Sequence, residues 1–241
     1  MKIRAVLDFN LIDYPGKIAA VAFTPGCNYG CPACHAKPLL NEDSLISEDG
    51  FFAYLAGVRR WVSGVVICGG EPTLQEGLEE FMARLKAEGL AVKLDTNGSA
   101  PALLRRLLER KLADFVALDV KGPAALFASV AGVPETDLAA VMESVKEVAR
   151  FPAYEFRTTA APVIRSDGGI SFMTAPEIGA AAELIRTLTG SGAHKYYIQK
   201  FVPRKGGLLD ERLESFPETP PKLLEEMRKA ASAYLPECAV R

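Results

Sequence analysis

The chain has 241 residues, 49% of them hydrophobic and 24% charged, which is the composition of an ordinary folded protein and excludes a disordered or fibrous one. Its 28 basic and 30 acidic residues leave a net charge of -2, without the electrostatic footprint of a protein that binds nucleic acid or an anionic membrane. A chain of this length buries one substantial core, so residues 1–241 are expected to form one domain.

The opening segment, MKIRAVLDFNLIDYPGK, carries basic residues but no apolar run ending in small residues, and does not read as a signal peptide. No stretch approaches the roughly 18 apolar residues of a membrane helix, so a cytoplasmic protein is expected. In that compartment five cysteines serve metal or redox chemistry more readily than disulfides.

Short apolar, β-branched runs predict strands at Ile18 to Thr24, Val65 to Cys68, Ala91 to Thr96, Phe115 to Val120, Tyr154 to Ala160 and Tyr196 to Val202. Amphipathic periodicity predicts helices at Glu48 to Trp61, Leu74 to Glu88, Pro101 to Lys111, Leu138 to Arg150, Pro176 to Leu188 and Pro220 to Tyr234. Strand and helix units in series demand a parallel α/β sheet, either an incomplete barrel or an open doubly wound sheet. Asn41 to Ser47 and Val163 to Thr174 read as surface excursions, the second either a plain solvated loop or one able to move over an active site. His194 has no motif around it and reads as a surface histidine, and Cys238 as an inert leftover thiol.

Unusual residues gather at the strand ends. Cysteines follow the first run, GlyGlyGluPro the second, AspThrAsnGly closes the third and AspValLysGly the fourth, and Arg157 and Gln199 lie within the fifth and sixth. All converge on the carboxyl ends of the strands, where α/β enzymes place their chemistry.

In the loop 24–35, Cys27, Cys31 and Cys34 stand at CxxxCxxC spacing among Gly and Pro, so that three soft thiolates curl toward one centre. Three ligands leave one iron of a [4Fe-4S] cluster open for a substrate group. The competing readings are a zinc site completed by His35, a closed cluster with Cys68 as fourth ligand, and buried cysteines without metal. His35 follows Cys34 directly, an awkward geometry on one ion, and Cys68 ends an apolar strand where a buried thiol is common.

This spacing after the first strand resembles the radical S-adenosylmethionine (SAM) superfamily. The resemblance implies a partial (β/α)6 TIM-like barrel whose cluster binds SAM through the open iron and cleaves it to a 5′-deoxyadenosyl radical. It further implies that Gly69, Gly70, Glu71 and Pro72 receive the methionyl amino group, that Asn97, Lys121 and Arg157 contact SAM, and that Gln199 approaches its adenine or ribose. Asp95 and Asp119, ending adjacent strands, would repel unless a cation lay between them. The resemblance to glycyl radical enzyme activating proteins places a monovalent cation, Na+ or K+, there, with Asp95, Thr96 and Asp119 as its ligands. Two positions depart from the family pattern: Ala33 stands where an aromatic residue usually packs near the adenine, and Ala36 where activating enzymes often have Asn.

Asp13-Tyr14-Pro15-Gly16-Lys17 followed by PheThrProGlyCysAsn looks like the activating protein of anaerobic ribonucleoside-triphosphate reductase. That likeness implies a glycyl radical enzyme as partner, most closely that reductase, and a flavodoxin or ferredoxin as electron donor. The alternatives are a different glycyl radical enzyme as partner, a small-molecule enzyme of the 7-carboxy-7-deazaguanine synthase type, and an electron-transfer protein that binds no SAM.

Overall fold

In the computed structural model, which describes residues 1–133 and 138–241, eight strands form one sheet. In chain order they are β1 (Ala5–Asn10), β2 (Ala19–Thr24), β3 (Gly64–Gly69), β4 (Ala91–Thr96), β5 (Phe115–Asp119), β6 (Tyr154–Ala160), β9 (Tyr196–Lys200) and β10 (Cys238–Val240), and this is also their order in space. A separate antiparallel pair, β7 (Pro162–Ile164) and β8 (Ile170–Phe172), makes a hairpin. The helices are α1 (Glu48–Val58), α2 (Leu78–Ala87), α3 (Pro101–Glu109), α4 (Phe127–Ala131), α5 (Leu138–Val148), α6 (Ala175–Thr189) and α7 (Pro221–Ser232).

From β2 to β9 every pairing is parallel and each new strand adds on the same side. Right-handed crossovers then put the helices on one face, whereas a doubly wound sheet needs a reversal of strand order. The partial barrel is therefore the fold, and side chains that alternate across each strand divide into an outer and an inner set.

Outward residues such as Ala20, Val65, Ile67, Leu94, Leu118 and Phe156 join Phe51, Phe81, Leu104 and Ile185 of the helices in the main core. Inward residues of the lower sheet, Ala19, Val21, Val66, Phe115 and Ala117, pack with Tyr14 and plug the amino end of the interior. Lys93 lies level with that plug, in register with Val66 and Phe115, and beyond it the inner set turns polar, with Asp95, Asp119, Arg157 and Thr159. The strand parity thus delivers the chemistry to one cavity.

Several elements depart from the expectation. The opening segment contains β1, an edge strand antiparallel to β2 with a bulge between Leu7 and Asn10. The helix expected from Leu74 starts at Leu78, because Pro72–Leu74 form a 3-10 turn and Gly77 takes φ 76°. Val163 to Thr174 is no plain loop. It holds the β7–β8 hairpin, fastened by Arg165 to Glu177 at 2.6 and 3.1 Å.

His194 is buried rather than on the surface, its ring nitrogens 2.7 Å from Tyr154 Oη and 2.7 Å from Thr189 Oγ1.

Two expected outcomes follow from these contacts. A Cβ on Gly70 would lie 1.8 Å from the Gly26 carbonyl oxygen, so Gly70→Ala should lower stability by about 1–3 kcal/mol. In Gly57→Ala the new Cβ meets nothing within 4 Å, and relief of the glycine penalty in α1 should raise stability by about 0.5–1 kcal/mol. Denaturant midpoints of the two variants check both. Burial lowers the His194 pKa below the ordinary 6.5, against a smaller opposing pull from Glu237. The folded state therefore prefers the neutral ring, and its stabilisation is present above pH 6.5 and lost as pH falls through the lowered value. Unfolding midpoints at neutral and acidic pH should show that loss in the parent and a smaller one in His194→Gln.

Candidate active site

The cysteine loop begins where β2 ends and is clamped on two sides. On one side Gly70 N–H donates to Thr24 O and Glu71 N–H to Gly26 O, each at 2.8 Å. On the other, Gly30 N–H donates to Ala131 O at 3.0 Å, and a Cβ on Gly132 would lie 1.9 Å from Gly30 O. Only glycines permit these backbone approaches.

Held in this way, Cys27, Cys31 and Cys34 line one cavity of about 290 Å³ with Asp95, Asp119 and Arg157. The Tyr29 and Ala36 amides donate to the sulfurs of Cys27 and Cys34, each at 3.4 Å, and Asn97 Nδ2 donates to Cys27 Sγ at 3.8 Å. Burial pushes both thiols up, and these amides act against it by favouring the thiolate. Three soft donors with N–H groups aimed at the sulfurs fit an iron–sulfur cluster.

A zinc site fits less well. His35 Nε2 pairs with Val202 O at 2.9 Å while its ring stacks on Phe201. The histidine that a zinc site here would need as its fourth ligand is thus engaged elsewhere. Cys68 also lines the cavity, but packs beside the Tyr14 and Val66 plug, where burial raises its thiol pKa.

Gly69 and Gly70 line the cavity, Gly69 with φ 111°. Glu71 is 1% exposed and both its oxygens are engaged. Oε1 accepts from Thr73 N–H at 3.1 Å, Thr73 Oγ1 at 2.5 Å and Thr96 Oγ1 at 2.7 Å, and Oε2 from Asn97 N–H at 2.7 Å. Burial pushes its carboxyl up, and the four donors oppose that. Glu71 therefore ties the Gly-Gly turn to the end of β4. Pro72 opens the buried 3-10 turn beyond it. Asn97 extends the tie, donating from Nδ2 to Asn28 Oδ1 at 2.9 Å within the cysteine loop.

Asp95 and Asp119 do converge, as their motifs imply, but a protein cation joins them. Arg157 lies opposite Asp119 in register on β6. Its Nη1 donates to Asp95 Oδ2 at 2.8 Å and its Nε to Asp119 Oδ1 at 2.9 Å. Lys121 Nζ donates to Asp119 Oδ2 at 3.1 Å, and Lys93 Nζ to Asp95 Oδ1. Burial would raise the Asp119 pKa, but Arg157 and then Lys121 outweigh it and hold the carboxyl well below the usual range. Lys121 is pulled up in turn by Asp119, against its own burial, with Cys31 and Cys34 adding to the pull.

The residues expected to hold a monovalent cation, Asp95, Thr96 and Asp119, all have protein partners here. Arg157 already lies between the two carboxylates, and Thr96 Oγ1 is engaged with Glu71 and with Gly98 N–H.

Gln199 pairs with Thr159 in register and accepts from its hydroxyl at 3.5 Å, but Thr159 is the member of the pair that lines the cavity. Ala33 packs with Ala161 and Phe201, and Ala33, His35 and Ala36 all face the cavity. Sequence reasoning passed over Lys93, Tyr29 and Thr159. Alternation along β4 carried a signal for Lys93, which shares the inward face with Asp95.

A protein of Methanocaldococcus jannaschii, provisionally named a glycyl-radical enzyme activating enzyme, is 29% identical over 247 residues, covering 99% of this chain and 95% of that relative. The 7-carboxy-7-deazaguanine synthase of Clostridium acetobutylicum is 31% identical over 112 residues, 45% of this chain and 49% of that protein. Among solved structures, Streptococcus suis SuiB bound to precursor peptide SuiA matches with a TM-score of 0.63 at 11% identity, covering 92% of this chain and 48% of that one, a likeness of fold alone. The Radical SAM superfamily profile matches residues 21–158, more than half of the chain, from within β2 through the cysteine loop to Thr158 of β6. By that match the chain belongs to the Radical SAM superfamily, whose members are built around a [4Fe-4S] cluster and SAM.

Proposed function

We propose that this protein is a radical SAM activating enzyme that installs a glycyl radical on a partner enzyme, most closely an anaerobic ribonucleoside-triphosphate reductase. The observation that carries the reading is likeness along the whole chain to the Methanocaldococcus protein named for that activity, together with the cavity that joins the three cysteines to the charged ends of β4, β5 and β6. The reductase as partner rests on the Asp13 to Lys17 segment. In the fold, Tyr14 of that segment plugs the amino end of the barrel, far along the strands from the cysteines.

In this reading Cys27, Cys31 and Cys34 hold three irons and leave the fourth for SAM. When bound, the cluster and SAM would supply, with an electron from a flavodoxin or ferredoxin, a 5′-deoxyadenosyl radical able to take a hydrogen from the partner's glycine. The backbone at Gly69 and Gly70 would receive the SAM ammonium, and Arg157 and Lys121, in the same cavity, would present positive charge to its carboxylate. Thr159 offers a hydroxyl above Arg157 on the same face of β6. Docking of the partner shields the cavity from water and aligns the target hydrogen.

Anaerobic reconstitution should load about four irons and four sulfides per chain. Ala at Cys27, Cys31 or Cys34 should abolish the cluster and SAM cleavage, while Cys68→Ala, Cys238→Ala and His35→Ala should retain the iron. Iron and sulfide analysis with the visible absorption band checks this, and loss of the cluster in Cys68→Ala would point to a closed four-cysteine site. Reduced protein, SAM and an anaerobic ribonucleotide reductase should together give the doublet electron paramagnetic resonance signal of a glycyl radical, with faster SAM cleavage than in the partner's absence. Consumption of a small molecule in step with SAM, with no doublet from any glycyl radical enzyme, would transfer the assignment to the 7-carboxy-7-deazaguanine synthase type.

A further inference from the structure

Lys93 is 1% exposed, in the middle of β4 and inside the barrel. An ammonium taken out of water loses several kcal/mol of hydration unless it is paired. Its partner is Asp95, two residues on along the same face, and its Nζ lies 5.6 Å from the centre of the Phe115 ring.

The accounting of carboxylate oxygens is complete. Asp95 Oδ1 faces Lys93, Asp95 Oδ2 and Asp119 Oδ1 face Arg157, and Asp119 Oδ2 faces Lys121. Three cationic side chains thus meet these two carboxylates, with Glu155 3.9 Å from Arg157 as a further acidic neighbour, so both aspartates are matched by protein cations without a metal ion. The donors such a cation needs are already engaged, since Thr96 Oγ1 serves Glu71 and the oxygens of both aspartates have protein partners. A lysine ammonium is a compact point charge, able to take the electrostatic place of a small monovalent ion.

We propose that Lys93 is a built-in cation: its ammonium holds Asp95 as a sodium or potassium ion would, so that SAM binds without any monovalent metal. Lys93 is a positioning residue. It acts through Asp95 on Arg157, leaving the guanidinium shared between both aspartates at the cavity wall. The inference rests on the cavity being the SAM site, and not on the identity of the partner enzyme.

The test is SAM affinity of the reconstituted holoenzyme, measured anaerobically in sodium, potassium and N-methyl-D-glucamine chloride of equal ionic strength. The parent protein should keep its dissociation constant within about twofold across the three salts, because no small ion is required. Lys93→Ala should bind SAM about tenfold more weakly in the glucamine salt and recover in sodium or potassium, as an ion enters the vacated space beside Asp95. Lys93→Met fills that space without charge and should not recover.

A parent protein that loses SAM when sodium and potassium are withdrawn overturns the proposal, and that arm needs no variant to fold. So does a Lys93→Ala protein whose affinity ignores the cation, or equal recovery of both variants, which would be a general salt effect. Salt-independent SAM binding without any glycyl radical on a partner would leave this inference standing and remove the activating function.

Discussion

Arg157 is the interaction on which the interior depends. Two carboxylates that end neighbouring strands repel, and burial of either as an ion is unfavourable without a partner. One planar guanidinium reaches both, with separate nitrogens toward Asp95 and Asp119. A lysine at this position would present a single point of charge and could not satisfy two acceptors with fixed geometry. The ends of β4, β5 and β6 are thereby held in one arrangement. Further down, Glu155 lies 3.9 Å from Arg157 and takes a bidentate pair from Arg241 at 3.0 and 2.9 Å, so the ionic chain runs from the cavity to the last residue.

The cysteine loop depends on a different economy of contacts, in which backbone meets backbone. Gly70 lies against the Gly26 carbonyl and Gly132 against that of Gly30, at distances that leave no room for a Cβ on Gly70 or Gly132. Glu71 supplies the fixed point between them. Removed from solvent, its carboxylate is held by four donors from the turn that follows it and from the end of β4. The cysteines are therefore placed by the sheet itself rather than by the flexibility of a loop.

Much of this was legible in the amino-acid sequence because the barrel strands are continuous apolar runs bounded by turn residues. The bounds expected for β4 and β6 coincide with those in the fold. The motifs were legible for the same reason, since each sits where an apolar run ends.

What escaped notice lacks such a signal. β1 exposes Leu7, Asp8 and Phe9, and β7, β8 and β10 have only three residues each. The partners of His194 are set by tertiary packing, with Tyr154 forty residues away. Motif spacing brought Asp95 and Asp119 together but said nothing of how far Arg157 and Lys93 reach toward them.

The barrel also stays unsealed. Among the described residues β1 and β10 are the two outer strands of the sheet and do not pair with each other. An exposed strand edge is a template on which other chains can add, and β1 carries apolar Leu7 and Phe9 at 44% and 51% exposure. The bulge between Leu7 and Asn10 breaks the regular ladder there, and charged Asp8 stands within it. A neighbouring molecule is thus denied a straight edge to extend, and the protein keeps an open seam without inviting sheet-to-sheet aggregation.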